Sequence, residues 1–381
     1  MVPLGPGASS PGEATGSWQG MRSEKARSVP PVSGVHAGAA TARPARRYLW
    51  LSLWLLIPLV IWWSLRGVAL PEILGTLRQL RGDKILILAG VNALIFLLIS
   101  SRWWLILRGL GHPLPLLRVI GYRLAGFGVT YFTPGPQLGG EPLQVYLLTR
   151  REKMPAPTAA ASVAVDKLLE LIANFTFLLL GAAVILDSGL GRDHGGHALL
   201  IPLAGLLILP ASYLLALHQG RSPVASILEW LSRRFPGTEF WKSGALGARS
   251  TEQGVTQFSR NRRGTLYLAA GLSGFIWVLM VFEFGLMLRF LGEDLSLSAE
   301  LTALTAARLA FLLPIPAGLG SLEAGQVMAM GSLGLNPALG LSLALLIRAR
   351  DVLLGGLGLW LGGVLGSRVL FAGKSKTPRV P

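Results

Sequence analysis

The 381-residue sequence has no cysteine. Disulfide frameworks, thiolate metal sites and thiol catalysis are therefore excluded. Charge is scarce as well: Asp, Glu, Lys and Arg make up 14% of the chain, where soluble domains carry about 25%. Acids are the scarcer sign, 19 against 35 bases. The five histidines, His36, His112, His194, His197 and His218, fall in loops or at the ends of apolar segments, and no H-E-x-x-H spacing occurs. Neither intramembrane zinc chemistry nor any cofactor is expected. No G-x-S-x-G marks a nucleophile elbow.

What is present is apolar: 51% hydrophobic residues and a mean hydropathy of +0.54. Windows of about 20 apolar residues recur, the length a helix needs to cross a ~30 Å hydrocarbon layer. Spans read near 49–66, 85–107, 116–133, 158–186, 198–217, 265–291, 297–314 and 338–366. The runs are continuous and Leu-rich, which excludes the ~10-residue alternation of an outer-membrane barrel. The expected fold is an all-α polytopic integral membrane protein with about eight transmembrane helices. Two shorter apolar pieces, 138–148 and 319–335, each follow a Pro/Gly cluster. They read as re-entrant half-helices, tolerated only inside protein or beside a wet cavity.

Residues 1–45 are rich in Pro, Gly, Ser and Ala without apolar periodicity, so a disordered tail is expected. Met21, opening a short basic stretch, is an alternative start. The basic excess gathers beside the spans: six Lys/Arg precede Tyr48, eight lie between His218 and Gly264, and four follow Gly366. Basic flanks of this kind mark cytoplasmic loops and meet anionic lipid, and no nucleic-acid module accompanies them. Loops 187–197 and 292–300 are acidic and should face outward. The N-terminus, the 218–264 loop and the basic tail 371–381 are then cytoplasmic. Segment 66–84 disagrees, since it would be external yet holds Arg66, Arg78, Arg81 and Lys84. Within the 218–264 loop, Val224, Ile227, Leu228, Leu231 and Phe235 have helical spacing beside Arg233 and Arg234, the pattern of an amphipathic helix on the membrane surface.

Slid against itself at one constant offset, the chain aligns Pro134 with Pro316, Glu141 with Glu323, Gln144 with Gln326 and Val145 with Val327. If the span before each motif runs in the opposite sense, the two hairpins enter from opposite faces. Such inverted repeats build alternating-access transporters. Gly139 and Gly140 in the first motif, and Gly318 and Gly320 in the second, permit tight turns. Ser321 reads as an N-cap for the second short helix. The free amides that open each short helix favour an anion. That anion is either a ligand phosphate or the motif's own Glu141 or Glu323 with a buried basic partner.

Further charges interrupt apolar stretches, where each costs about 2.5–3.5 kcal/mol. Asp166, Lys167 and Glu170 lie in one, with Asp166, Glu170 and Asn174 on one helical stripe; Arg348, Arg350 and Asp351 lie in another. With Arg123, Glu141, Glu283, Arg308 and Glu323 they make five bases and six acids. Either they pair to fix helix packing, or they line a path for a charged head group with Arg308 and Arg348 as phosphate ligands.

The stretch Thr133-Pro134-Gly135-Pro136-Gln137-Leu138-Gly139-Gly140-Glu141-Pro142-Leu143-Gln144-Val145, together with Pro316-Ala317-Gly318-Leu319-Gly320-Ser321-Leu322-Glu323, resembles the flippase-like transmembrane family known from the membrane half of lysylphosphatidylglycerol synthases. Val165-Asp166-Lys167-Leu168-Leu169-Glu170 falls where that family shows an acidic-basic pair and a following acid, with Asp, Lys and Glu in the places of its commoner Glu, Arg and Asp. Leu346-Ile347-Arg348 resembles its last-helix arginine, followed by a less typical Arg350-Asp351. The resemblance covers roughly residues 49–370, within a flippase-like transmembrane domain expected over 46–370. It implies movement of a phospholipid, or another lipid-linked anionic head group, between leaflets of the bacterial inner membrane. The soluble aminoacyl-transfer half has no counterpart here, so lysyl transfer by this chain alone is not expected. Membrane lipids are the implied partners, with a separate lipid-modifying or glycosyl transferase as a further one. A scaffold for such a transferase and a small-solute or ion transporter are the alternatives.

Overall fold

The computed structural model describes residues 80–133, 139–188, 197–235 and 239–372. The expected span 49–66, the tail 1–45 and the end of the basic tail lie outside them. Among the described residues all regular structure is helical: α1 Gly82–Gly109, α2 Leu116–Phe132, α3 Glu141–Arg151, α4 Ala156–Asp187, α5 His197–His218, α6 Pro223–Arg234, α7 Glu239–Asn261, α8 Arg263–Phe290, α9 Leu297–Ala310, α10 Ser321–Ser332 and α11 Pro337–Ala372. A single 3-10 turn, Pro316–Gly318, precedes α10.

The boundaries follow local chemistry. Proline stands in the first turn of α3 and α4, where its missing N–H removes only an orphan donor. Ser296 Oγ accepts the Ala299 N–H at the start of α9. Among the described residues four helices are long and apolar enough to cross a membrane: α1, α4, Leu200–His218 of α5, and α8. Their outer faces carry Leu86, Leu180, Ile201 and Val278, all more than half exposed, as hydrocarbon solvent allows.

The 218–264 loop forms two helices where the spacing predicts one. The apolar stripe ends with α6 at Arg234, and α7 then packs back on α6, α4 and α5. Glu252 joins them, buried on α7. It accepts the Tyr213 hydroxyl at 2.9 Å and the Val224 and Ala225 amides at 2.9 and 3.0 Å. Those amides are orphan donors of the first turn of α6.

The remaining helices form a duplicated plan. The starts of α1, α2 and α4, at Gly82, Leu116 and Ala156, recur at one constant offset as the starts of α8, α9 and α11, at Arg263, Leu297 and Pro337. The start of α10 falls one residue short of that offset from α3. α1 and α8 pair antiparallel: Lys84 Nζ donates to Phe290 O, Asn92 Nδ2 to Glu283 Oε1 and Arg102 Nη1 to Ser273 Oγ. Lys84, one of the cations that disagreed with the loop-charge reading, thus serves the C-terminal carbonyls of α8. α2 packs on α11, and α9 on α4, so each half's second long helix lies against the other half's last. Gly358 makes the first seam possible, because a Cβ there would collide with the Leu124 carbonyl. α3 and α10 are each held by the two helices that flank them in sequence.

Candidate functional site

A cavity of about 260 Å³ lies between α1, α2, α3, α4, α8, α9 and α11. Five bases line it, Arg102, Arg123, Lys167, Arg308 and Arg350, with five acids, Glu141, Asp166, Glu170, Glu283 and Asp351. The helical stripe read from the sequence is present: Asp166, Glu170 and Asn174 all face the cavity from α4.

One wall is a closed network. Asp166, buried, accepts Arg102 Nε at 2.8 Å and Arg123 Nη1 at 2.5 Å. A turn further along α4, Glu170 takes Lys167 at 2.8 Å, Arg123 at 3.3 Å and Arg102 at 3.7 Å. Lys167 also pairs with Glu141 at 3.1 Å. The other oxygen of Glu141 accepts the Gly139 amide at 2.8 Å.

The opposite wall is built differently. Arg350 bridges Glu283 at 2.7 Å and Asp351 at 2.8 Å. Asn92 Nδ2 donates to the same Glu283 oxygen at 2.9 Å. Arg308 has no carboxylate at ion-pair distance among the described residues. Its guanidinium lies over the Trp277 ring, 5.0 Å from the centroid, and its Nη2 meets Met280 Sδ at 3.3 Å.

Glu323 and Arg348 stand outside the lining. Arg348, 1% exposed, donates to Glu323 Oε1 at 2.7 Å and to the carbonyls of Ala317 and Gly318 at 3.2 and 3.3 Å. Glu323 Oε2 accepts the Gly320 amide at 3.0 Å. At both short helices, therefore, the anion at the free amides is the motif's own glutamate, held by a base on the following long helix. Ser321 is not the N-cap: Gly320 takes that position at φ +78°, and Ser321 Oγ instead donates to the Ala310 and Gly318 carbonyls. Gly318 borders the cavity. Gly139 and Gly140 shape the first turn behind it, and a Cβ on Gly140 would strike the Gly126 carbonyl.

Arg102, Asn92, Ser273 and Trp277 were missed as site residues. Arg102 had a readable signal, a base in the middle of an apolar span; the others have none without their partners. The offset between helix starts collects them. Asn92 and Ser273, Ile95 and Ile276, Phe96 and Trp277, Ile99 and Met280, Arg102 and Glu283, Phe127 and Arg308, Thr130 and Phe311, and Glu170 and Asp351 are eight pairs at that offset, and every member lines the cavity. Among the described residues no three His, Cys, Asp or Glu are grouped to hold a metal ion.

Comparison with known proteins matches residues 49–358 to the family described as the lysylphosphatidylglycerol synthase TM region. A UPF0104 membrane protein of Methanothermobacter thermautotrophicus is 23% identical over 275 residues, covering 70% of this chain and 80% of that protein. The UPF0104 membrane protein MJ1595 of Methanocaldococcus jannaschii is 24% identical over 120 residues, 31% of this chain and 36% of its own. With most of its length matched and its helices apolar, this chain is a multi-pass helical membrane protein and belongs to the lysylphosphatidylglycerol synthase transmembrane-region family.

Proposed function

We propose that this protein moves a lipid with an anionic head group, a phospholipid or a lipid-linked phosphate, between membrane leaflets. The observation that carries the reading is the cavity: ten ionisable side chains line it, inside a bundle whose outer faces are apolar. Each such group is costly in hydrocarbon and is retained where it meets a partner, water or a polar substrate. Packing alone needs far less, as the sealed Arg348–Glu323 pair illustrates. A head group crossing between the walls would exchange water for these charges while its acyl chains stay in lipid.

An inverted repeat fits this function. The antiparallel pairing of α1 with α8, helices at equivalent places in the two halves, is what a two-fold axis in the membrane plane would produce. On this reading α3 and α10, of 11 and 12 residues, are re-entrant half-helices from opposite faces. They and the shorter α2 and α9 complete the spans. The membrane is the bacterial inner membrane with both termini cytoplasmic, and a lipid-modifying or glycosyl transferase supplies or uses the lipid.

Two experiments test it. In proteoliposomes with fluorescent phosphatidylglycerol and an impermeant quencher, Glu141→Gln and Asp351→Asn should slow translocation at least tenfold while melting within a few degrees of the parent. Full-rate transport by both variants, or none by the parent, would favour the scaffold reading, which co-purification of a transferase would then support. The cysteine-free chain also suits single-cysteine labelling. Asp294→Cys should react with an impermeant reagent from outside and Ser243→Cys only after permeabilisation; the reverse pattern would invert the topology.

A further inference from the structure

The two walls of the cavity differ in one respect that their common plan does not require. Four of the five lining bases are engaged by carboxylates: Arg102, Arg123, Lys167 and Arg350. Arg308 is the exception among the described residues. Its one hydrogen bond there is to a thioether sulfur, a weak acceptor. A guanidinium offers five N–H donors in a planar fork, so most of its donors are unspent where it borders the cavity. Trp277 lies against it as a cation–π platform, which orients the charge without neutralising it.

The duplicated plan shows that packing does not need this charge. At the equivalent place on α2 stands Phe127, which lines the same cavity, and opposite Trp277 in the same sense stands Phe96. A hydrocarbon ring fills in one half the position that the free arginine takes in the other. The arginine is thus an addition on one wall, aimed into a cavity whose other bases are each paired with a carboxylate.

We propose that Arg308, oriented by Trp277, is the seat for a phosphate oxyanion, the matching acceptor for a planar fork. This rests on the lipid-translocation reading and names the group recognised; the phosphate could arrive on a lipid or free in solution. Arg308 and Trp277 hold it, and the paired bases across the cavity, already neutralised, do not compete for it.

Equilibrium binding separates this seat from transport. The purified full chain in detergent is titrated by microscale thermophoresis with dihexanoyl-phosphatidylglycerol, with dihexanoylglycerol that lacks phosphate, and with inorganic phosphate. Phosphatidylglycerol should bind, the phosphate-free lipid at least tenfold more weakly. Arg308→Gln should weaken phosphatidylglycerol at least tenfold, Arg308→Lys less, and Trp277→Phe between them. Because Arg308 has no acid to strand, Arg308→Gln should melt close to the parent; if it does not fold, Arg308→Lys and Trp277→Phe carry the comparison. Equal binding of both lipids, or unchanged phosphatidylglycerol binding in the folded variants, overturns the seat, and continued translocation in proteoliposomes would then leave the transport reading standing. Binding of inorganic phosphate that depends on Arg308, with no binding of the lipid, upholds the seat and overturns the lipid as its source.

Discussion

The two short helices carry the same acid and meet an equivalent base, yet the two pairs serve differently. Lys167 and Arg348 take equivalent places on the long helices that follow, and each pairs with the glutamate of its own hairpin. Lys167 opens on the cavity, shared between Glu141 and Glu170, whereas Arg348 is sealed behind it and divides its fork between Glu323 and two carbonyls of the preceding turn. The difference follows from side-chain shape. A planar fork can tie three acceptors in a dry turn, and a single ammonium on a flexible stem suits a site that water or a substrate enters. Of two equivalently placed ion pairs, one bolts a turn behind the cavity and the other forms part of its wall.

The largest effect should come from breaking the bolt. Arg348→Ala removes the buried base from part-exposed Glu323 and two carbonyls, and should cost about 3 kcal/mol, read as a fall in melting temperature in detergent. Lys167→Ala should cost clearly less, because Glu141 keeps the Gly139 amide and Glu170 keeps Arg123. Equal losses would end the distinction between bolt and wall.

Next come the seams between halves. Gly358→Ala presses a methyl group on the Leu124 carbonyl, while Gly181→Ala meets the Thr305 hydroxyl, a side chain able to turn away. Overpacking costs about 1–3 kcal/mol, and the first variant should melt lower than the second. Glu323→Gln sharpens the comparison in function: it should lower stability by about 1–3 kcal/mol and leave translocation near the parent rate, the reverse of Glu141→Gln. The smallest change belongs to a pair outside both halves, the exposed Lys242–Glu239 contact. Lys242→Ala should move stability by at most about 1 kcal/mol, setting the floor against which the others are measured.

Most of the helical plan was legible because hydrocarbon imposes it. Long apolar runs at 85–107, 158–186 and 265–291 reappear as α1, α4 and α8 with ends shifted by a few residues. The short helices were legible too, from Pro142 and the glycines that open them. The division of the 218–264 loop was not, since the apolar stripe of α6 says nothing of α7, whose place depends on Glu252 reaching back to the Val224 and Ala225 amides. Nor was the register between the halves: the matching prolines and glutamates stand one residue further apart than the long-helix starts and the paired cavity residues do. Glu141 opens α3 whereas Glu323 is the third residue of α10, so identical letters there do not follow the helix starts.

By itself the sequence determined that this chain lives in a membrane and that its interrupting charges must face one another or a cavity, because exposing an ion to hydrocarbon is costly. Beyond local pairs such as Lys167–Glu170 and Arg350–Asp351, which charge meets which across helices was decided by tertiary structure. Helical spacing places Arg348 and Asp351 on one face, yet only the packing of α11 against α2 and α10 sends Asp351 into the cavity and Arg348 into the turn behind it. The same packing leaves Arg308 facing Trp277 instead of an acid, for an ion pair depends on a few ångströms between different helices, and no one-dimensional spacing encodes that distance.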